Sequence, residues 1–203
     1  IIRADETGEL RTHCRHKLKY RRHKGRKRNP SGRTVIPDRV SIHQRPPEAD
    51  GTRFGDWEMD LVIGKDRKSA VLTMIERKTN MFLQTKLSSK KPAVVAMAAW
   101  RLLLPYKANV LTITTDNGSE FMNHKWLARR IGATVYFADP FCSGQKGAVE
   151  NANKLLRQYF PKGTDFREVE QAELDRIQAK INRRPREKLG FSSPLREFFK
   201  LLS

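Results

Sequence analysis

Cysteine is nearly absent. Cys14 and Cys142 are the only two in 203 residues. They make neither a CxxC pair nor a spaced set, so no disulfide framework is encoded. His13 and His16 lie beside Cys14, but no second ligand pair follows, and a zinc site is not read there. Long apolar runs are also missing. The longest, Ala93 to Leu104, is broken by Arg101 and is far short of the roughly 20 residues of a membrane-spanning helix. The chain opens at Ile1 with acids and bases where a signal peptide has a basic and then an apolar region. It therefore reads as a fragment without a leader. No internal repeat is evident.

One stretch has no acid at all. Between Arg11 and Arg33 stand 11 Lys and Arg and no Asp or Glu, in a chain whose net charge is +19. The run is poor in apolar residues and contains Gly25, Pro30 and Gly32, so it cannot bury a core of its own. Its densest part, Arg21, Arg22, Lys24, Arg26, Lys27 and Arg28, suits contact with phosphates. An anionic membrane surface fits less well, because the run lacks the apolar face of an amphipathic helix. Residues 1–50, punctuated by Pro37, Pro46 and Pro47, read as a basic arm and linker. Residues 51–203 read as one folded domain, and a hydrophobic content of 38% allows it a core.

Within that domain, 57–63, 70–75 and 81–87 are short apolar runs separated by polar turns, the pattern of a three-strand meander. Pro92 opens a helix that Pro105 closes. The β-branched run 110–115 predicts a buried strand, 120–131 a helix ending at Gly132, and 134–138 a fifth strand. Two further helices follow, over 148–160 and 169–183. The order predicts an α/β fold: a five-stranded mixed sheet flanked by helices.

Three acids stand at telling places. Asp60 interrupts an apolar strand, where a charge is rarely buried unless paired or metal-bound. Alternation puts Asp56, Glu58 and Asp60 on one strand face, so the pattern does not choose among them. Asp116 directly follows the run 110–115, at the end of a strand where open α/β sheets bind ligands. Its neighbour Asn117 either shapes the turn or orients a water. Glu150 falls in the first turn of a helix, 33 residues on from Asp116. Two Asp and one Glu brought to one point would make an oxygen-rich site suited to magnesium. Two such ions could clamp the attacking and leaving oxygens of a displacement at phosphorus. Asn153, Lys154 and Arg157 follow Glu150 at helical spacing, and the two cations are candidates for phosphate contact. Trp57, on the opposite strand face, reads as core.

The chain resembles the catalytic part of transposases of the insertion sequence 30 family, within the ribonuclease H-like DDE superfamily that includes retroviral integrases. The resemblance rests on Gly55-Asp56-Trp57-Glu58-Met59-Asp60, Glu76-Arg77-Lys78, the run from Leu111 to Gly118, Glu150-Asn151 with Asn153, the run from Arg157 to Gly163, and Asn182-Arg183-Arg184-Pro185-Arg186. It implies a ribonuclease H-like fold in which Asp60, Asp116 and Glu150 are the catalytic acids and metal ligands. It also implies two Mg2+ ions, replaceable by Mn2+, and double-stranded DNA as partner: the element's terminal inverted repeats and its target. A homo-oligomer on DNA, a bacterial cytoplasmic location at the nucleoid, and a helix-turn-helix region lost upstream are further implications. The expected reaction is cleavage at the element's end followed by strand transfer. The alternatives are a nuclease that hydrolyses without joining and a non-catalytic DNA-binding regulator. One departure stands out. Relatives commonly read Ser-Ser-Trp-Glu-Arg-Gly where this chain has Cys142-Ser143-Gly144-Gln145-Lys146-Gly147.

The arm supplies a first prediction. If about half of its cations each neutralise a duplex phosphate, a chain starting at Thr34 shows a slope of log affinity against log salt flatter by about 4–6 units. Affinity falls alike on every DNA sequence, because phosphate contacts position without reading bases. Anisotropy across a salt series measures this. An unchanged slope assigns the DNA to the body, and a loss confined to one sequence makes the arm a base reader.

Overall fold

The computed structural model describes residues 36–140 and 142–202. The arm cations Arg21, Arg22, Lys24, Arg26, Lys27 and Arg28, and the group around Cys14, lie outside the described residues. Six strands form one sheet: β1 Val40–Ser41, β2 Asp56–Ile63, β3 Ala70–Glu76, β4 Phe82–Leu87, β5 Thr112–Thr115 and β6 Thr134–Phe137. Their order across the sheet is β1-β6-β5-β2-β3-β4. The β2-β3-β4 meander is antiparallel, while β1, β6, β5 and β2 run parallel. Five helices cover the sheet: α1 Pro92–Leu103, α2 His124–Ile131, α3 Gly147–Tyr159, α4 Gln171–Arg183 and α5 Pro194–Leu202.

The mixed sheet matches the expectation except for its sixth strand. β1 has two residues, too few to show alternation, and only its pairing with Tyr136 and Phe137 defines it. Around it Ile36, Ile42 and Ala49 are buried, so the folded body takes in residues that the composition had assigned to the linker. α5 is also additional. Its nine residues give little more than two turns of periodicity. Pro92 and Gly132 punctuate as expected: Pro92 opens α1, and Gly132 closes α2 in the left-handed conformation. α2 starts later than expected, because 119–121 form a separate 3-10 turn.

Alternation along the strands sends apolar side chains into two layers. On one face Trp57, Met59, Leu72, Met74 and Ile113 pack with Val95, Ala99 and Leu103 of α1, Leu127 of α2 and Phe198 of α5. On the other, Val62, Val71, Ile75 and Phe82 lie under Val149, Ala152 and Leu156 of α3 and Leu174, Ile177 and Ile181 of α4. Trp57 is therefore core. Gly55 introduces β2 with a φ of +99°, and a Cβ there would meet the Asn109 carbonyl oxygen at 2.2 Å. No other residue fits so close an approach.

The outer edge of β4 would be a row of unpaired backbone groups, and α4 covers it. Asn182 Oδ1 accepts from Phe82 N at 2.8 Å and its Nδ2 donates to Phe82 O at 2.7 Å. Gln178 Oε1 accepts from Gln84 N at 2.7 Å, and Gln171 Oε1 from Lys86 N at 2.9 Å. Three amides on one helix face thus imitate a neighbouring strand, which accounts for Asn182 in its motif.

Phe198 closes the first layer. Its ring meets Phe54, Trp57 and Tyr106 edge-on, at 5.3, 5.9 and 5.0 Å between centroids. Phe198→Ala empties a fully buried site and is expected to cost about 3–5 kcal/mol. Denaturant titration measures the loss. A cost below about 1 kcal/mol would mean that α5 does not belong to the cooperative core.

Candidate active site

β2 and β5 are parallel neighbours, with Asp56 opposite Thr112 and Glu58 opposite Thr114. Continuing that register by one pleat brings Asp60 level with Asp116, just past the carboxyl end of β5. Asp56, Glu58 and Asp60 share the face that α3 covers, and each has a different partner. Arg53 donates to both oxygens of Asp56, at 3.0 and 2.8 Å, and Thr112 Oγ1 donates to it at 2.6 Å. Glu58 meets Arg77 Nε at 3.0 Å and accepts from Val149 N, in the first turn of α3, at 2.8 Å. Both are fully buried and fully engaged. Asp60 alone of the three keeps a partly exposed side chain, at 22%. Alternation gives the three one face; their partners and exposure differ.

A lysine sits between the two aspartates. Lys146 Nζ lies 3.2 Å from Asp60 Oδ1 and 3.3 Å from Asp116 Oδ2. Burial pushes the Lys146 ammonium down, but its two aspartates more than offset this and hold it above its ordinary range. Burial pushes Asp60 up, against the pull of Lys146 and with the repulsion of Asp116. Asn153 Nδ2 donates to Asp60 Oδ2 at 2.8 Å. Asp116 Oδ1 accepts from Gly118 N at 2.9 Å, the turn that Asp-Asn-Gly encodes. Asn117 serves that turn, donating to Ala138 O and accepting from Arg39.

Glu150 lies in the first turn of α3, half-buried, one turn before Asn153 and on the same side. It makes no hydrogen bond or ion pair with a described residue. Among the described residues no three His, Cys, Asp or Glu are gathered closely enough to hold a metal ion. The structure therefore unites Asp60 and Asp116 through Lys146 and leaves Glu150 apart on the adjoining helix. The donor set nevertheless suits a hard cation. Two carboxylates already share one positive charge, and beside them Asn153 Oδ1 is buried without a hydrogen-bond donor. The sequence reading met Lys146 only in the departing loop and Asn153 only by motif and helical spacing; no local pattern put either beside Asp60.

The two helix cations part company. Lys154 is exposed. Arg157 donates to the carbonyls of Ile63 at 2.6 Å, Pro161 at 3.2 Å and Phe160 at 3.4 Å, and stacks over Phe166. Its guanidinium thus braces the end of α3 against the sheet. A groove beyond the end of β2 collects Arg67, Lys90 and Lys162 beside Arg157, next to Ser119 and Glu120. These cations come from three separate loops, so no charge run announced them. No described helix is long and apolar enough to cross a membrane.

Residues 52–142 match the integrase core domain family, a stretch holding Asp60 and Asp116 and ending before Glu150. The transposase for insertion sequence element IS4351 of Bacteroides fragilis is 41% identical over 91% of this chain and 59% of its own length. That for IS1086 of Cupriavidus metallidurans is 40% identical over 100% and 61%. Transposase InsI for IS30A of Escherichia coli K12 is 35% identical over 88% and 47%. The chain thus spans between about half and three-fifths of the length of these relatives. In three dimensions it resembles the catalytic core domain of BIV integrase, with a TM-score of 0.56 at 21% identity, covering 72% of this chain and 95% of that one. That likeness establishes the ribonuclease H-like fold. Residues 52–142 are thus similar to an integrase core domain, and the chain as a whole is similar to insertion sequence transposases, that of IS30A among them.

Proposed function

We propose that this chain is the catalytic part of a DDE transposase, cutting DNA at an element's end and joining it to target DNA. The observation that carries the reading is the pair Asp60 on β2 and Asp116 just past the end of the parallel strand β5, converging on one cation. Glu150 is the third acid in this reading. Its support is the family motif together with its place on α3, whose first turn is fastened to β2 by Glu58.

Asp60, Asp116 and Glu150 would hold divalent ions, magnesium or manganese, and these supply positive charge to the attacking and leaving oxygens at phosphorus. Asn153 orients the Asp60 carboxylate through its amide, and its buried Oδ1 has no hydrogen-bond partner. Lys154 and the groove cations Arg67, Lys90 and Lys162 hold the phosphate backbone, where each contact adds affinity without sequence preference. Water attacks first and frees a 3′-hydroxyl; that hydroxyl then attacks a phosphodiester of the target. No covalent link to the protein is needed. The chain works as a homo-oligomer on double-stranded DNA, at the nucleoid of a bacterial host.

Asp60→Asn, Asp116→Asn and Glu150→Gln keep shape and remove a charge. Each is expected to lower the cleavage rate at least a hundredfold, about 2.7 kcal/mol of barrier, while DNA binding persists. The assay uses the full-length protein with magnesium, a matched element end and supercoiled target. A variant keeping more than about a tenth of the wild-type rate, a loss under roughly 1.4 kcal/mol, removes its residue from the site. Cleavage without joined products by the wild type makes the protein a nuclease, and binding without cleavage makes it a regulator.

A further inference from the structure

We propose that Lys146 is a built-in counter-ion of the paired aspartates: its ammonium takes the cation position of the metal-free chain and must leave when a divalent ion binds there. Lys146 is 5% exposed, the burial of a core residue, yet its charge has been brought to this point. It reaches one oxygen of each aspartate, at 3.2 and 3.3 Å. Each aspartate lends one oxygen to the same ammonium, so the two carboxylates lie close and repel each other unless a cation stands between them. One ammonium offsets one of the two charges, whereas a divalent ion offsets both. Both cations need the same oxygens and repel each other, so they exclude one another.

The backbone presents the lysine deliberately. It ends the 3-10 turn Ser143–Lys146. The residue before it, Gln145, is locked to Asp139 in both directions, accepting from Asp139 N at 2.7 Å and donating to Asp139 Oδ2 at 2.9 Å. Asp139 is in turn backed by His43 Nε2 at 2.8 Å. The tether holds the turn while the four-carbon stem lets the ammonium swing away. Displacement is therefore a side-chain movement, and it delivers a freed cation at the mouth of a site meant for phosphate.

The inference rests on the metal-site reading, and its test separates the two. Manganese binding to the full chain is titrated calorimetrically for wild type and Lys146→Met, and both are melted in EDTA. Lys146→Met is expected to bind Mn2+ about tenfold more tightly, the equivalent of 1.4 kcal/mol. Its metal-free melting temperature is expected to drop by about 2–4 °C. Adding Asp116→Asn to Lys146→Met should restore that temperature, because the lone carboxylate at Asp60 no longer faces a like charge. Unchanged Mn2+ affinity, or an unchanged metal-free melting temperature, overturns the counter-ion role. Failure of Lys146→Met to fold, not rescued by Asp116→Asn, makes the lysine a packing element and likewise overturns it. If neither wild type nor Lys146→Met binds Mn2+, the metal-site reading falls, while the melting comparison in EDTA still judges the lysine.

Discussion

Glu58 joins three parts of the molecule at one carboxylate. It stands on β2, takes the guanidinium of Arg77 from the turn after β3, and accepts the backbone N–H of Val149 at the start of α3. Burying a carboxylate is costly, and burial does push Glu58 up; only partners of this quality make it tolerable. What the arrangement secures is the seat of α3. An acceptor at a helix N-terminus satisfies an orphan N–H and complements the dipole. With the first turn of α3 fixed to β2, Asn153 falls on Asp60 one turn later, and Glu150 stands between them on the same side. The position of Glu150 relative to Asp60 is thus set two residues away along the strand.

The acidic face of β2 grades from closed to open. Asp56 is held by Arg53 and Thr112, Glu58 by Arg77 and a helix, Asp60 by Lys146 and Asn153. The first two sets use rigid neighbours: a bidentate guanidinium, a strand hydroxyl, a backbone amide. Only the third relies on a flexible ammonium carried by a loop. Glu76 belongs with the closed kind, since its carboxylate caps its own turn through Thr79 N at 2.7 Å and Gly55 N at 3.1 Å. The Glu76-Arg77-Lys78 motif is therefore architecture that supports the site from beneath.

Much of this was legible because it is local. The meander, the buried run before Asp116, Pro92 and Gly132 each follow from a pattern of a few residues. The choice among Asp56, Glu58 and Asp60 was not legible, because a period of two gives all three the same face and only tertiary partners distinguish them. β1 was hidden by its length, and α5 by its brevity. Arg157 shows the limit of spacing. Helical spacing put it on the side of Glu150, but spacing cannot reveal that three carbonyls, of Ile63, Phe160 and Pro161, lie within its reach. Lys146 was noticed only as part of a loop departing from its relatives, with no hint that it would point between two aspartates more than 25 residues away in sequence.

That departure carries its own physical logic. The family resemblance implies Trp and Glu at the places of Gly144 and Gln145, and a basic residue at that of Lys146. A glutamate at 145 would bring a second carboxylate against Asp139, whereas the glutamine amide both donates to and accepts from it. A Cβ at Gly144 or Gly147 would meet nothing within 4 Å, so neither position packs the turn against a neighbour. The turn is thus held at two points, Gln145 on Asp139 and Lys146 on the aspartates. The first contact is neutral in one partner and indifferent to a metal ion. The second is electrostatic and competes with one directly, so a cation arriving at Asp60 and Asp116 would loosen one hold of the turn and leave the other in place.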